Sequence, residues 1–440
     1  MVYVLNQDGQ PIMPTSNHAK VRVLLKKGRA KVINRCPFTI QLLYPCDNKT
    51  QPISLGVDAG SKHIGISATT KGDNTGAIVL YEADVTLRND IVELLSARRE
   101  MRRARRNRKT RYRKARFDNR RRGDGWLAPS IREKIDTHLT VIANVHKILP
   151  ITNITVETAQ FDIQKIKNPD IQGIEYQQGK QLGFWNVREY VLWRDNHTCQ
   201  CCKGKSKDKI LNVHHIESRK TGGNAPNNLV TLCEYCHTQY HKGNIQLPKS
   251  IKRGAGFKDS SFMGVMRWAF YNKLKEIYPN VYMTYGYITK NKRIENGLPK
   301  EHCIDARCIS DYPEATHLWN KTVVYYQKKV RCHNRQIHKM SILRGGIRKL
   351  NQAEYLVKGY RLFDRVQYHG KEYFVFGRRK SGFFDIRTLD GEKVNKGSIS
   401  YKKLKLLEIS KGFLTERKVV GFHAWLDEVI IYEIMLLREA

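Results

Sequence analysis

The stretch ISLGVDAGSKHIGISATT, residues 53–70, decides how this chain is read. It reads as two strands joined by the glycine-bearing turn DAGSKHIG, with an acid, Asp58, closing the apolar run ISLGV. A carboxylate at the end of a hydrophobic strand is costly unless it faces a metal ion or water. Working outward, GAIVLYEADVTL (76–87) is a third strand. NITVETA (153–159) is a short buried-type strand that also carries an acid at its end, Glu157. A third acid, Asp305, follows His302 by three residues on the short helical segment HCIDARCIS, so both project from similar faces. Each acid alone is an ordinary turn former. Three carboxylates converging on two Mg²⁺ ions are what in-line phosphodiester cleavage needs.

Between these strands the sequence changes character. From Leu95 to Arg122 there are fifteen Lys or Arg, opposed only by Glu100 and Asp118. Arg98, Arg99, Arg102, Arg103, Arg105, Arg106, Arg108, Arg111 and Arg113 fall on every helical face and leave no apolar stripe to pack on protein. Blocks of like charge are commonly solvated arms. This one lies between two segments that must meet in one site, so it reads as an ordered helix gripping nucleic acid through phosphates. The whole chain agrees, with 79 Lys+Arg against 41 Asp+Glu, a formal +38, and 22 Tyr and 14 Phe spread along it. A surface this positive repels itself unless a polyanion neutralises it. The plainer alternative is a basic protein of ribosomal type.

A length of 440 residues suggests about three folding units. With 40% hydrophobic and 27% charged residues, a wholly disordered or fibrous chain is excluded. No run of eighteen apolar residues occurs, and MVYVLNQDGQ lacks the features of a signal peptide, so no membrane partner is expected. The ten cysteines then read as thiols or metal ligands in a reducing, prokaryotic cytoplasm.

Four of those cysteines form two C-x2-C pairs, Cys199/Cys202 and Cys233/Cys236. That spacing is the signature of a structural tetrathiolate Zn²⁺ site, which leaves no open position for chemistry. Between and after the pairs lies VHHIESRKTGGNAPNNLVTLCEYCHTQYH: a His-His-Ile strand, a glycine-bearing loop, Asn-Asn-Leu, and a helix bearing His237 and His241 one turn apart. Two imidazoles at i,i+4 share a helix face and can grip one cation. A divalent metal held by imidazoles, with a separate imidazole as base, hydrolyses phosphodiesters. A purely structural zinc module that binds DNA is the competing reading.

This order resembles the HNH (ββα-metal) nucleases, specifically their zinc-stapled branch. The resemblance implies His215 as the general base, His214 and His237 as ligands of the catalytic metal, and His241 as a candidate third ligand. Asn228 corresponds to the Asn that pins the loop carrying the base. Many members have Asp where His214 stands, so the metal is either Mg²⁺ or Mn²⁺. The three carboxylates, the VDAGSKHIG hairpin and E-H-C-I-D-A together resemble a RuvC-type nuclease of the RNase H-like fold. There Asp58, Glu157 and Asp305 hold two Mg²⁺, with His302 beside them.

The remaining elements are read from pattern. VYVL and KVINRCPFTIQLLY are strands, Pro11-Ile12-Met13-Pro14 a turn, and HAKVRVLLKKG a basic helix closed by Gly28. Ser130 and Glu133 have capping-box spacing ahead of the stripe Ile131, Ile135, Leu139, Ile142, Val145, Leu149. Residues 164–181 are a linker, 262–277 a helix, VYMTYGYIT a strand, and the chain from about 340 a small all-β module.

A split RuvC, an arginine-rich helix after its first segment and an HNH domain before its third resemble the RNA-guided nucleases related to the CRISPR effectors. The PIMP stretch and HNRQIH (333–338) narrow the resemblance to the transposon-encoded IscB family. The fold class is therefore α+β multidomain: a split RNase H-like core with an inserted HNH domain, a small N-terminal α/β unit and a C-terminal β-rich module. The expected boundaries are 1–51 N-terminal domain, 52–94 RuvC I, 95–125 bridge helix and 126–180 RuvC II plus linker. They continue as 181–250 HNH, 251–320 RuvC III and 321–440 C-terminal module. The resemblance implies one protein per structured guide RNA (an ωRNA) and double-stranded target DNA, with sequence choice by guide pairing. It also implies that HNH cuts the guide-paired strand and RuvC the displaced one. A guide-independent HNH or junction-resolving nuclease would explain the catalytic residues, though not the arginine helix. A non-enzymatic RNA-binding scaffold would explain the charge alone.

Overall fold

The computed structural model describes residues 1–72, 76–106, 123, 125–158, 175, 178–218, 223–254, 258–318, 321–331 and 354–421. The chain divides into two compact units, one formed by Met1–Gln160 with Phe262–Ala440 and the other by Phe161–Ser261.

The first unit opens with a small sheet of β1 (Val2–Leu5), β2 (Pro11–Thr15), β3 (Ala30–Asn34) and β4 (Thr39–Leu42), ordered β2-β1-β4-β3. Helix α1 (His18–Lys26) starts where the Asn17 side chain accepts from the Lys20 N–H. It is left through Gly28 at φ 64°. The expected Pro11–Pro14 turn is instead the edge strand β2, paired with β1 at Ile12 and Pro11. At an edge the missing proline N–H can face away from the ladder. KVINRCPFTIQLLY is two antiparallel strands, β3 and β4, rather than one.

The core of this unit is a seven-stranded sheet. β5 (Ile53–Ala59), β6 (His63–Lys71) and β7 (Ala77–Thr86) form an antiparallel meander. β8 (Asn153–Glu157) pairs parallel with β5, and β11 (Val281–Thr284) parallel with β8. On the other side β12 (Lys321–Lys329) runs parallel to β7, and β18 (Phe413–Gly421) closes that edge antiparallel to β12. The order is β11-β8-β5-β6-β7-β12-β18, so segments from both ends of the chain share one sheet.

Alternation along the strands assigns the two faces. Ile53, Leu55, Val57, Ile64, Ile66, Ala83, Val85, Ile154 and Val156 enter one buried cluster. Also in it are Ile135, Ile142 and Val145 of α3 (Pro129–His146) and Phe270 and Leu274 of α6 (Lys258–Ile277). Burying each large aliphatic side chain stabilises by roughly 1.5–3 kcal/mol. The intervening residues, Ser54, Gly56, Asp58, Gly65, Ser67, Glu82, Asp84 and Glu157, occupy the opposite face. Over that face lie α7 (Gly286–Glu295) and α8 (His302–Ile309).

Three readings need correction here. α3 takes Ala128 as N-cap with Pro129 in the first turn, and Ser130 makes no capping bond, because proline's fixed φ already starts the helix. VYMTYGYIT is a strand only to Thr284, and Gly286 begins α7. The basic helix α2 runs Ile91–Arg106, starting four residues early, and Leu94, Ala97 and Met101 give it a half-buried face. Arg98, Arg99 and Arg103 on it are exposed. Arg102, Arg105 and Arg106 lie in the helix with side chains outside the description, whereas Arg108, Arg111 and Arg113 lie outside the described residues, as do HNRQIH and most of the 164–181 linker.

Of the C-terminal stretch expected to be all-β, Arg365–Glu408 forms a separate sheet, whereas β18 joins the seven-stranded sheet. β13 (Arg365–Tyr368), β14 (Lys371–Arg378), β15 (Phe383–Arg387), β16 (Ile399–Ser400) and β17 (Lys405–Glu408) form a sheet ordered β16-β15-β14-β13-β17. Its own core includes Val366, Val375, Phe384 and Ile386.

The second unit is small. α4 (Val187–Arg194) precedes a hairpin of β9 (Leu211–His215) and β10 (Leu229–Cys233), and α5 (Glu234–His241) follows directly. No helix among the described residues is long and apolar enough to cross a membrane.

Candidate metal centres

In the second unit the four cysteines come together as the spacing predicts. The thiols of Cys199, Cys202, Cys233 and Cys236 all lie within 4.8 Å of one another. Cys202 Sγ and Cys233 Sγ are 3.8 Å apart, about the edge of a tetrahedron with 2.3 Å Zn–S bonds. Lys203 (φ 53°) and Gly204 (φ 81°) turn the chain sharply after the first pair. Burial raises the Cys202 thiol's pKa, but the Ser206 hydroxyl and backbone outweigh it and bring it down to about 6. Burial pushes the Cys199 and Cys236 thiols up, and it is the tetrahedral spacing of the four sulfurs that suits Zn²⁺.

Beside it, β9 and α5 face each other through imidazoles. One ring nitrogen each of His214, His237 and His241 lies within 4.8 Å of the others. His237 Nε2 and His241 Nε2 are 3.2 Å apart. His214 Nε2 is buried without a hydrogen-bond partner, a costly state that a bound cation would relieve. Burial, then the neighbouring His237 and His241, push its pKa down to about 4. It is thus neutral, the form that ligates metals. His215, next along β9, points to the other side of the strand. Its Nε2 lies 3.0 Å from Asn224 Oδ1, and since an amide oxygen only accepts, the proton sits on Nε2 and Nδ1 is left with a lone pair. Asn228, fully buried, accepts from the Glu217 N–H and donates to the Glu217 and Gly223 carbonyls. It thereby ties both ends of the loop that carries Asn224. Asn224 was missed from sequence; its place in the loop between the His-His strand and Asn-Asn-Leu was the available signal.

On the sheet of the first unit, Asp58 and Glu157 are Cα partners across β5 and β8. α8 brings His302, whose Nδ1–H donates to Asp58 Oδ2 at 2.7 Å, and Asp305, ion-paired with Arg293 at 3.0 Å. The His302 ring also stacks on His63, with centroids 5.3 Å apart. The Asp58 hydrogen bond raises the pKa of His302. Burial raises those of Glu157 and Asp305, and the neighbouring Asp58 charge adds to both. Unlike the thiols and imidazoles, the three carboxylates are not drawn into one ligand cluster; His302 and Arg293 hold two of them. An all-oxygen donor set of crowded acids nonetheless fits hard cations such as Mg²⁺.

α8 can lie this close because of two glycines that sequence reading passed over. A Cβ at Gly56 would meet Ala306 O, and one at Gly65 would meet His302 O, both far inside contact distance. From the same helix Arg307 reaches Glu82, with Nε 2.7 Å from Oε1, and His317 Nε2 lies 2.9 Å from Oε2. Glu82 is 0% exposed, so this pair anchors α8 to β7 inside the protein.

Comparison with known proteins gives two family matches. Residues 2–179 match the family profile described as RRXRR protein, and residues 199–243 that of HNH endonuclease. Anaredoxin from Nostoc sp. (strain PCC 7120 / SAG 25.82 / UTEX 2576) is 38% identical over 55 residues, covering 12% of this chain and 68% of that protein. Among solved structures, Streptococcus thermophilus Cas9 in complex with AGGA PAM is 12% identical at a TM-score of 0.28, over 41% of this chain and 25% of that one. The Type II-C Cas9 from Actinomyces naeslundii is 11% identical at a TM-score of 0.25, over 59% of this chain and 60% of that one. The chain thus spans between a quarter and three fifths of the length of these Cas9 chains. Its second unit is an HNH endonuclease domain. Residues 2–179 place that part of the chain among the IscB-like RRXRR proteins.

Proposed function

We propose that the protein is an RNA-guided DNA endonuclease that makes a double-strand break. The HNH site cuts the guide-paired strand, and the sheet site, a RuvC-type centre on an RNase H-like sheet, cuts the displaced strand. The observation that carries the reading is the HNH constellation. A buried His214 Nε2 without a partner sits with two further imidazoles, beside a His215 whose free Nδ1 is fixed by Asn224.

His214, His237 and His241 would hold one Mg²⁺ or Mn²⁺, and Asp58, Glu157 and Asp305 two Mg²⁺. Bound there, the cations polarise the phosphate and stabilise charge on the attacking and leaving oxygens. His215 accepts the proton of the attacking water at Nδ1, while Asn224 keeps the other proton on Nε2. Asn228 holds the loop that positions Asn224. At the sheet site His302 donates its Nδ1–H to Asp58 Oδ2 and holds that carboxylate in place. Guidance by RNA is supported by the exposed Arg98, Arg99 and Arg103 of α2, which leads away from the strand β7 of the same sheet.

Purifying the protein from cells that carry its native flanking DNA, and sequencing the RNA that comes with it, tests the reading. One abundant species with a variable end and a constant folded part is expected, and it then directs cutting of a matching duplex. Heterogeneous RNA, or none, would leave a guide-independent nuclease.

A further inference from the structure

We propose that Tyr285 and Tyr287 are a stacking platform that holds single-stranded DNA beside the sheet carboxylates. The inference rests on reading those carboxylates as a cutting centre. β11 runs in register with β8, Thr284 opposite Glu157, and the Thr158 N–H donates to Thr284 O at 3.1 Å. The chain leaving β11 is therefore fixed at Glu157. The next residue but one, Gly286, lies against that acid, since a Cβ there would come within 3.0 Å of Glu157 Oε1. Tyr285 and Tyr287 flank this contact on either side.

Their side chains add little to the core. Tyr285 is 45% exposed and Tyr287 66%, while Thr289 on the next turn is buried and hydrogen-bonds Glu157. The two rings lie nearly parallel, 10° apart in plane with centroids 6.1 Å apart. Cations line the helix that carries them: Lys290 is exposed, Lys292 follows, Arg293 is ion-paired with Asp305, and α7 carries no acid before Glu295. Exposed aromatic faces within a basic surface are what unpaired nucleic acid binds, bases stacking on the rings and phosphates meeting the cations. A duplex keeps its base faces hidden, so the occupant is a single strand. The DNA strand that must reach Glu157 to be cut passes directly over these rings.

The test uses the full chain loaded with its co-purified RNA and a duplex labelled on both strands. The strand whose cutting is lost in Asp58→Ala is identified first. On that strand, Tyr285→Ala/Tyr287→Ala slows cutting about tenfold or more, the His215-dependent cut keeps its rate, and Tyr285→Phe/Tyr287→Phe recovers the loss. Abasic sites flanking the cut slow the unmodified protein in the same way but leave the double Ala variant indifferent. An unchanged Asp58-dependent rate in the Ala variant overturns the stacking platform alone. Equal loss of both cuts, or loss of bound RNA, also overturns it by assigning the rings to folding or to RNA. If Asp58→Ala removes no cut, the cutting centre itself is wrong and the platform falls with it.

Discussion

Asp58 and Glu157 stand opposite each other as Cα partners on the parallel neighbours β5 and β8. Adjacent strands are about 4.8 Å apart, so two carboxylates far apart in sequence share one face at close range. Burial raises the Glu157 pKa, and the Asp58 charge adds to the shift. The pair is thus uncomfortable without positive charge, which His302 supplies to Asp58 through its hydrogen bond.

Two independent centres should be separable by single substitutions. Asp58→Ala is expected to reduce cutting of one strand to background and leave the other untouched. His215→Ala should do the reverse, lowering its strand's rate by about 10²–10⁴-fold, the usual worth of a general base. Strand-specific labels on a target duplex read both effects. Loss of both cuts in either variant, with RNA binding intact, would sink the two-site assignment.

The closeness of α8 to the sheet should be equally exposed to mutation. Gly65→Ala places a Cβ against His302 O, which is backbone and cannot swing aside. The helix must shift, at a cost of about 1–3 kcal/mol in stability. Because His302 and Asp305 ride on that helix, the Asp58-dependent cut should be lost while the His215-dependent cut survives. Urea unfolding together with the strand-specific assay checks this; full activity in a normally stable variant would mean α8 does not rest on Gly65.

The chemistry-bearing residues were legible because each sits at a pattern break: an acid ending an apolar run, paired cysteines at metal spacing, adjacent histidines before a glycine-bearing loop. What was not legible depends on neighbours distant in sequence. Gly56 and Gly65 look like ordinary strand glycines until α8 is laid on them. Tyr285, Ile288 and Thr289 have strand propensity, yet they turn into α7 just beyond the point where β11 is fixed beside Glu157. Pro129 at the start of α3 overrides the Ser130 box, and the proline-bearing β2 survives only because it lies at an edge. The even-numbered polar residues of β5, Ser54, Gly56 and Asp58, were a readable signal of which face the site occupies.

The Glu82–Arg307–His317 network sets an acid limit on the first unit. Burial works to raise the Glu82 pKa, but the His317 hydrogen bond and the Arg307 charge prevail and hold it below the ordinary 4.5. A carboxylate with a depressed folded pKa contributes stability above its unfolded value and loses it as pH falls through the folded one. Acidification below about 4.5 should therefore erode the unit's stability in part through this group. Glu82→Gln leaves Arg307 buried without its counter-charge, so it should cost about 3–5 kcal/mol at neutral pH and flatten the acid dependence. Denaturant midpoints measured from pH 7 to pH 3 decide; an unchanged slope in the variant would exclude Glu82.

Exposed arginines on α2 should register in salt dependence. If Arg98, Arg99 and Arg103 each meet a phosphate, replacing all three with Gln lowers the slope of log K against log salt by about 2–3 for RNA binding. Filter binding of the co-purified RNA at several salt concentrations measures it. An unchanged slope would take these residues off the RNA.

The four thiols of the second unit should be what makes its catalytic hairpin fold. Cys199, Cys233 and Cys236 are buried in a small cluster with Val230 and Leu232, and Cys233 is the N-cap of α5. A core that small is too slight to hold a domain unaided, whereas a structural Zn²⁺ contributes about 10–16 kcal/mol of apparent binding free energy. Because β10 and α5 carry Cys233 and Cys236 as well as His237 and His241, losing the ion should scatter the imidazoles too. One equivalent of zinc per chain is expected by elemental analysis, and none in Cys199→Ser/Cys236→Ser. That variant should lose the His215-dependent cut and one unfolding transition, yet keep the Asp58-dependent cut, since the sheet is built from a different part of the chain. A variant free of zinc that still cut both strands would make the cluster an accessory rather than the staple of the domain.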